Sequence, residues 1–266
     1  MINTKPIFAC AFALALSFSA TAFAQNNTST YEQARAEAEK NLAVNFNGIW
    51  QTAAYELVVR PPEIPNPPFT EQARKWTDDF KNNFDPVKDQ PAMVCRVKGM
   101  PWTMLSRARD YTLEIVQTNT DISIFFEGDD IWRHIRIGQT EFPANIAPSY
   151  NGYSIAHWEG ETLVVETKGM GAHPYPDPFL RSENAYIVER ITRSTHPEHG
   201  DVIIIDMTIT DPEIYTEPVH GHQVLKRSPA GTVVNGYGCQ DALWRDYIEP
   251  KVQALENNPN NATPPH

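Results

Sequence analysis

The chain has 266 residues, a formal net charge of −11 and 41% hydrophobic residues. This negative charge argues against nucleic-acid and anionic-membrane partners, since both need a basic protein face. Three cysteines are too few for a Cys-rich zinc module or a disulfide-dense miniprotein, whereas the hydrophobic content is enough to bury a core.

The first 24 residues have the pattern of a signal peptide. A short start with one basic residue, Lys5, precedes an apolar run from Ile7 to Phe18 and a small-x-small sequence that ends at Ala24. The apolar run is shorter than the ~20 residues that a membrane span needs. We therefore expect a periplasmic or secreted protein with no membrane span.

Two cysteines, Cys95 and Cys239, follow the expected cleavage site. In an oxidising compartment, two thiols that lie far apart in sequence favour a disulfide over a catalytic thiol. The sequence therefore predicts a Cys95–Cys239 disulfide.

Residues 25–47 predict an N-terminal helical segment, because Ser29 and Glu32 have the spacing of a capping box before an Ala/Glu/Arg-rich stretch. A first strand is expected from residue 48 to about residue 59. The five prolines within residues 61–68 then predict an extended connector.

A helix is expected near residues 70–84, inserted in the β domain. Thr70 is a good N-cap, and the aromatic residues Trp76, Phe80 and Phe84 repeat every four positions. This repeat predicts a stripe that packs on the main body of the protein.

From residue 111 onward, short β-branched and aromatic runs alternate with turn residues. This spacing is typical of an antiparallel sandwich or barrel, and closure into a barrel removes exposed strand edges. Together with the first strand, these runs predict a mainly β fold, a single antiparallel barrel of about ten strands over residues 48–250. We expect a disordered tail at residues 251–266. The predicted runs are 111–118, 122–127, 131–137, 152–158, 162–167, 184–193, 202–210, 222–227 and 232–239.

The start of the first strand supports a barrel. Gly48-Ile-Trp50 resembles the Gly-x-Trp signature of lipocalins and related calycin barrels. The resemblance implies that Trp50 closes one end of the barrel under an Arg from a late strand, for which Arg227 is the candidate.

Further segments carry a second resemblance. They are residues 95–101, 113–118, 126–129 with Arg133, 151–154, 158–167, 182–183 with 188–190, and 210–212 with 215–216 and 218. Together they resemble a large family of exported, mostly uncharacterised proteobacterial proteins with a lipocalin-like β fold. Tyr153 and Arg181 stand where that family often has His, so the resemblance implies the fold and no transferable mechanism.

Strand alternation places charged side chains on apolar faces. Arg133 alternates with isoleucines in the run 131–137, and Asp206 shares a face with apolar residues of the run 202–210. In the run 184–193, either Glu189 or Arg190 must likewise share a strand face with apolar residues. Such charges form a buried ion-pair network, or they line a pocket where a carboxylate takes a proton and an Arg binds an anionic oxygen.

Histidines and a long loop add candidates. His157 shares a strand face with Tyr153, while His173 and Tyr175 lie in a loop between strands, where function is often found. His220 and His222 have the spacing of two ligands on one strand, but without a third ligand the sequence predicts no metal site. Nucleotide-binding and hydrolase motifs are absent from the sequence, so no cofactor is expected.

The leading hypothesis is periplasmic binding of a small apolar or aromatic molecule in a barrel pocket, with these ligand-binding candidates: Arg133, Arg181, Trp132 and Tyr175. The alternative is a cofactor-free isomerase, lyase or cyclase that uses acid–base catalysis in the same pocket, with these candidates: His157, His173, Glu183, Tyr153 and Asp206. The third is a structural protein of the cell envelope. An enclosed cavity favours the first two, and a solidly packed barrel favours the third.

Overall fold

The structure, a computed structural model, describes residues 42–61, 64, 66–85, 87–107, 111–175, 180–236, 241–258 and 260. The predicted signal peptide and nearly all of the predicted N-terminal helical segment lie outside these residues, and residues 42–47 are irregular. The strands are β1 (Gly48–Thr52), β2 (Val58–Val59), β3 (Thr112–Gln117), β4 (Asp121–Phe126), β5 (Ile131–Ile137), β6 (Tyr153–Glu159), β7 (Thr162–Lys168), β8 (Tyr186–His196), β9 (Gly200–Thr210) and β10 (Val219–Arg227). The helices are α1 (Glu71–Asn83) and α2 (Asp241–Glu256).

Nine strands form one closed barrel. β1 pairs with both β3 and β10, and β3 to β10 follow each other in chain order, while the short β2 pairs with β10 as an outer strand. This confirms the mainly β, lipocalin-like fold. The pairing is mixed rather than purely antiparallel, because β5 and β6 run parallel. The long connection between them returns the chain to the end where β5 began, as a parallel pair requires.

Two predicted strands differ from the observed ones. The run from 48 to 59 is interrupted by a 3₁₀ turn at Tyr55–Leu57, which separates β1 from β2. Residues 232–236 of the predicted last strand are not in a strand, and 237–239 lie outside the described residues. Because β10 already pairs with β1, the barrel offers no free edge for a further strand.

The C-terminal prediction was wrong for residues 251–256. These residues belong to α2, where Ile248, Val252 and Leu255 are buried. Their spacing of four and three residues forms one apolar stripe, which stabilises a helix by packing.

Helix α1 confirms the sequence prediction. The Thr70 hydroxyl accepts the backbone N–H of Ala73 at 3.1 Å, and Trp76, Phe80 and Phe84 are buried. The indole of Trp76 donates to the carbonyl of Pro174, so the stripe holds the helix on the loop between β7 and β8.

One end of the barrel is closed around Trp50. This side chain is fully buried, and the guanidinium carbon of Arg227 lies 4.2 Å from its ring centroid. Arg227 also donates to Asp201 at 2.7 Å. The expected Trp–Arg closure is therefore confirmed, and the opposite end of the barrel, where β1 ends and β3 begins, is its mouth.

Candidate functional site

The middle of the barrel holds a buried ion pair. Arg133 on β5 donates to Glu189 on β8 through both terminal nitrogens, Nη1 at 2.9 Å from Oε1, and both side chains are 0% exposed. Nη2 also reaches the hydroxyls of Ser154 at 3.3 Å and Thr167 at 3.1 Å. Arg133 therefore spans the inner wall of β6 and β7 and is occupied by structural contacts.

Apolar side chains fill the rest of the interior. Among the largest fully buried residues are Trp50, Ile124, Ile135, Leu163 and Ile187. In the part of the chain that the structure describes, one cavity lies at the mouth, and it has room for about one water molecule. This cavity is much smaller than the enclosed pocket that the sequence led us to expect.

The small cavity at the mouth has a mixed lining. Thr103, Met104 and Tyr111 line it with the fully buried Gln223. The amide nitrogen of Gln223 donates to Thr52 at 3.2 Å, whereas its amide oxygen has no hydrogen-bond partner among the described residues. A buried acceptor in this state is costly, so a donor from water or a ligand fits this position.

Irregular segments cover the mouth, and we call them the cap: residues 95–107, 127–130, 149–151, 171–175, 180–183 and 211–216. Backbone hydrogen bonds join them, such as Met100 N–H to the Tyr150 carbonyl at 3.0 Å. Side chains join them as well, since Thr103 donates to Asn151 at 2.9 Å. The segments that carry the second family resemblance contribute about half of the cap residues.

Two arginines of the cap lie close to each other. Arg181 is 3% exposed and donates to the carbonyls of Gly171 and Lys98, both at 3.0 Å. Arg96 donates to the Tyr150 hydroxyl at 2.6 Å. Burial, and next the nearby charge of Arg96, lower the pKa of Arg181 to about 9, so the two guanidinium groups repel each other in a poorly solvated site.

A carboxylate with a perturbed pKa borders these cations. Asp129 follows β4 and accepts the backbone N–H of Lys98 at 3.3 Å. Burial raises the pKa of Asp129 from 3.8 to about 6, although the Lys98 contacts oppose this shift. A group of this kind can exchange a proton near neutral pH.

A second buried carboxylate organises the cap. Asp211 accepts the backbone N–H of Ser182 at 2.7 Å and its hydroxyl at 2.8 Å. Burial raises the pKa of Asp211, and these hydrogen bonds oppose that effect. Asp211 therefore joins the turn after β9 to the segment before β8.

Three of the predicted site residues come together in the cap. His173 and Arg181 face each other across an antiparallel bridge, with backbone bonds of 2.9 and 3.1 Å. The rings of His173 and Tyr175 meet edge to face at 5.5 Å, and both side chains are buried.

The other predicted residues lie apart. His157 pairs with Glu159 at 3.4 Å, Asp206 pairs with His222 at 2.7 Å, and Trp132 is 60% exposed. These three point outward from the barrel. The hydroxyl of the half-buried Tyr153 donates to Gln139 at 3.0 Å, and Glu183 belongs to the cap but is exposed. The predicted acid–base set does not converge on one pocket.

Sequence reasoning missed four residues of the cap: Arg96, Lys98, Asp129 and Asp211. Arg96 and Lys98 lie in a segment without a regular period, and Asp129 lies in a 3₁₀ turn, Glu127–Asp129, between β4 and β5. The clustering of charges in the resembling segments was the signal available in the sequence.

Metal and thiol chemistry complete the inventory. Among the described residues, no group of three or more His, Cys, Asp or Glu side chains has a metal-binding arrangement, the region of His220 and His222 included. Cys95 is disulfide-bonded, but Cys239 lies outside the described residues, so the predicted pairing stays a prediction. No helix in the described parts of the chain is long and apolar enough to cross a membrane.

Comparison with known proteins assigns no family. No protein-family model matches the chain, and no curated protein matches it with significant similarity. The functional argument therefore stands on the fold and the cap.

Proposed function

We propose that the protein binds a small, largely apolar or aromatic molecule at the capped mouth of the barrel and works in a periplasmic or extracellular compartment. The observation that carries this proposal is the cavity under the cap, which is lined by the fully buried Gln223, whose amide oxygen has no hydrogen-bond partner among the described residues. A hydrogen-bond donor from the ligand, or from a water retained beside it, fits there. Because the ligand occupies only the mouth, the packed side chains of the barrel interior do not have to move.

The residues around this cavity suit an adaptable site. Met104 is flexible and polarisable, so it can change its shape around a ligand, and the Tyr111 ring adds aromatic surface. The cavity itself is small, so the ligand enters by shifting residues 103–106 of the cap. The expected ligand therefore lies nearer the protein surface than a ligand in the barrel centre would.

The test compares ligand binding with the cavity open and filled. Native mass spectrometry of protein from its own host identifies a retained molecule, and a panel of aromatic and isoprenoid compounds is screened by thermal unfolding. A ligand at 100 times its Kd stabilises the folded state by about 2.7 kcal/mol. We expect Met104→Phe, which fills the cavity, to abolish this shift.

Met93→Phe is the matched control, because Met93 is 63% exposed and lies outside the cavity. If no compound is retained and no panel member shifts the unfolding temperature, the proposal fails. A shift that survives Met104→Phe places the ligand elsewhere on the protein.

A second candidate function, cofactor-free isomerase or lyase activity, is favoured by Asp129. Its pKa of about 6 suits proton transfer near neutral pH, and the positive charge of Lys98, which already acts on Asp129, would stabilise negative charge there. Turnover of a retained ligand that Asp129→Asn abolishes, with binding intact, would establish an enzyme. The dense barrel interior instead favours the third hypothesis, a structural envelope protein, if no ligand is found.

A further inference from the structure

We propose that the ligand at the mouth carries a carboxylate, which the cap recognises through Arg96, Lys98 and Arg181. This inference rests on the proposed function and names the class of its ligand: a small aromatic carboxylic acid. The argument depends on where the cations lie, what they already contact, and which flat surfaces stand beside them.

Arg181 is a buried cation that forms no direct ion pair among the described residues. It is 3% exposed, and its guanidinium donates to two backbone carbonyls. A charge this deeply buried is expensive unless an anion compensates it. The carbonyl dipoles and the more distant charge of Asp211 offset part of that cost, and an anion in direct contact would offset more.

Arg96 adds a second positive charge to the same space. The positive charge of Arg96 repels that of Arg181 and helps to lower the pKa of the Arg181 guanidinium. Arg96 is half-buried, so unlike Arg181 it is within reach of solvent and of an arriving ligand. An oxyanion placed beside Arg96 relieves the repulsion between the two guanidinium groups, and guanidinium geometry suits a carboxylate.

Lys98 connects this cationic group to the cavity. Its carbonyl accepts from Arg181, and its backbone N–H donates to Asp129. A Cβ placed at Gly128, next to Asp129, would lie 2.9 Å from the ring of Tyr111, which lines the cavity. Residues 128 and 129 of the cap therefore lie between the cations on one side and the cavity on the other.

Two aromatic rings define the rest of the ligand. The Lys98 ammonium lies 4.1 Å from the centroid of Trp102, and the Arg96 guanidinium lies 4.8 Å from that of Tyr150. Both rings are half-buried, so each presents part of its surface to solvent. A flat molecule with one acidic group can contact such rings while its carboxylate meets the cations.

The experiment compares three probes of one shape: 1-naphthoate, the neutral 1-naphthamide and 1-naphthyl phosphate. Isothermal titration calorimetry is done on the whole mature chain. We expect naphthoate to bind at least about 10-fold more tightly than the amide, the effect of a charge-assisted hydrogen bond. We also expect Lys98→Met and Arg96→Gln each to remove most of that preference.

Lys81→Met is the matched control, because Lys81 is exposed on α1 and its loss changes the net charge by the same amount. Equal affinity for acid and amide would overturn the carboxylate inference and leave the proposed function standing. A preference for the phosphate would overturn it in the same way. If no naphthyl compound binds, the inference of a small aromatic acid fails, whereas the proposed function fails only if no compound is retained and no panel member binds. Should a cap variant not fold, the acid-to-amide ratio of the unaltered protein and its dependence on salt still decide.

Discussion

Replacing Glu189 by Leu should destabilise the protein by about 3–5 kcal/mol, the usual cost of leaving one member of a buried ion pair alone. The substitution removes both bonds to Glu189 from the Arg133 guanidinium, whose side chain is 0% exposed and keeps only the hydroxyls of Ser154 and Thr167. The loss should be visible in urea unfolding followed by tryptophan fluorescence.

The double variant Arg133→Met/Glu189→Leu should recover most of that stability. The two hydroxyls left behind already lie 2.9 Å apart and can bond to each other. The Nε of Arg133 is buried without a partner among the described residues, so the native pair is not fully satisfied. Apolar replacement of such a pair is often neutral or stabilising, by up to ~4 kcal/mol.

An exposed pair provides the control. Arg190 and Glu159 lie 2.9 Å apart, with side chains 50% and 49% exposed. Arg190→Met should cost less than about 1 kcal/mol, because solvent screens the pair. The reasoning about the barrel centre is refuted if Glu189→Leu costs no more than this control, or if the double variant is as unstable as the single one.

Three more predictions follow from other parts of the fold. Asp129→Asn should stabilise the protein at pH 8 by up to about 3 kcal/mol and should not stabilise it at pH 3.5. The pKa of Asp129 is raised from 3.8 to about 6, so ionisation of this carboxyl opposes folding as the pH rises through that interval. Equal effects in unfolding curves at both pH values would contradict this prediction. Thr70→Ala should cost about 1 kcal/mol by removing the N-cap of α1, whereas Thr70→Ser should cost far less. Peptide mapping of unreduced protein should find Cys95 joined to Cys239, and two free thiols in the unfolded, unreduced chain would exclude that bond.

The barrel could be predicted from sequence because its signals are local. Alternation of apolar and polar residues marks a strand within five or six positions, and β3 to β9 lie close to their predicted runs. The contact between Trp50 and Arg227 could be predicted because the Gly-x-Trp motif identifies Trp50, and because its partner is expected to be an Arg from a late strand. The parallel pairing of β5 and β6 depends on the path of the chain between them, which has no such pattern.

The partner of Arg133 shows where local signals stop. Alternation placed Arg133 on an apolar face, but for β8 it left open whether Glu189 or Arg190 pointed inward. Pairing decided it, because Glu189 lies opposite Val165 of β7, which faces the barrel interior. The contact spans 56 residues of sequence and two intervening strands. No spacing rule brings such residues together.

The cap was harder to foresee for a related reason. Its segments have no period, so only tertiary contacts fix which side chains meet. Arg96 and Lys98 were visible as charges, but their meeting with Arg181 depends on hydrogen bonds between distant loops, such as that from Met100 to Tyr150.

The distribution of charge now points to one end of the barrel. Trp50 and Arg227 close the far end, and the pair of Arg133 and Glu189 occupies the middle, so neither region can admit a ligand without breaking the core. The chain as a whole is acidic, at −11, and the cap contains acidic residues too, but Arg96 and Lys98 lie beside the buried Arg181. Surface charge beyond about 8 Å is screened at physiological salt, so contacts in the cap, rather than the net charge, decide which small molecule this end of the barrel accepts.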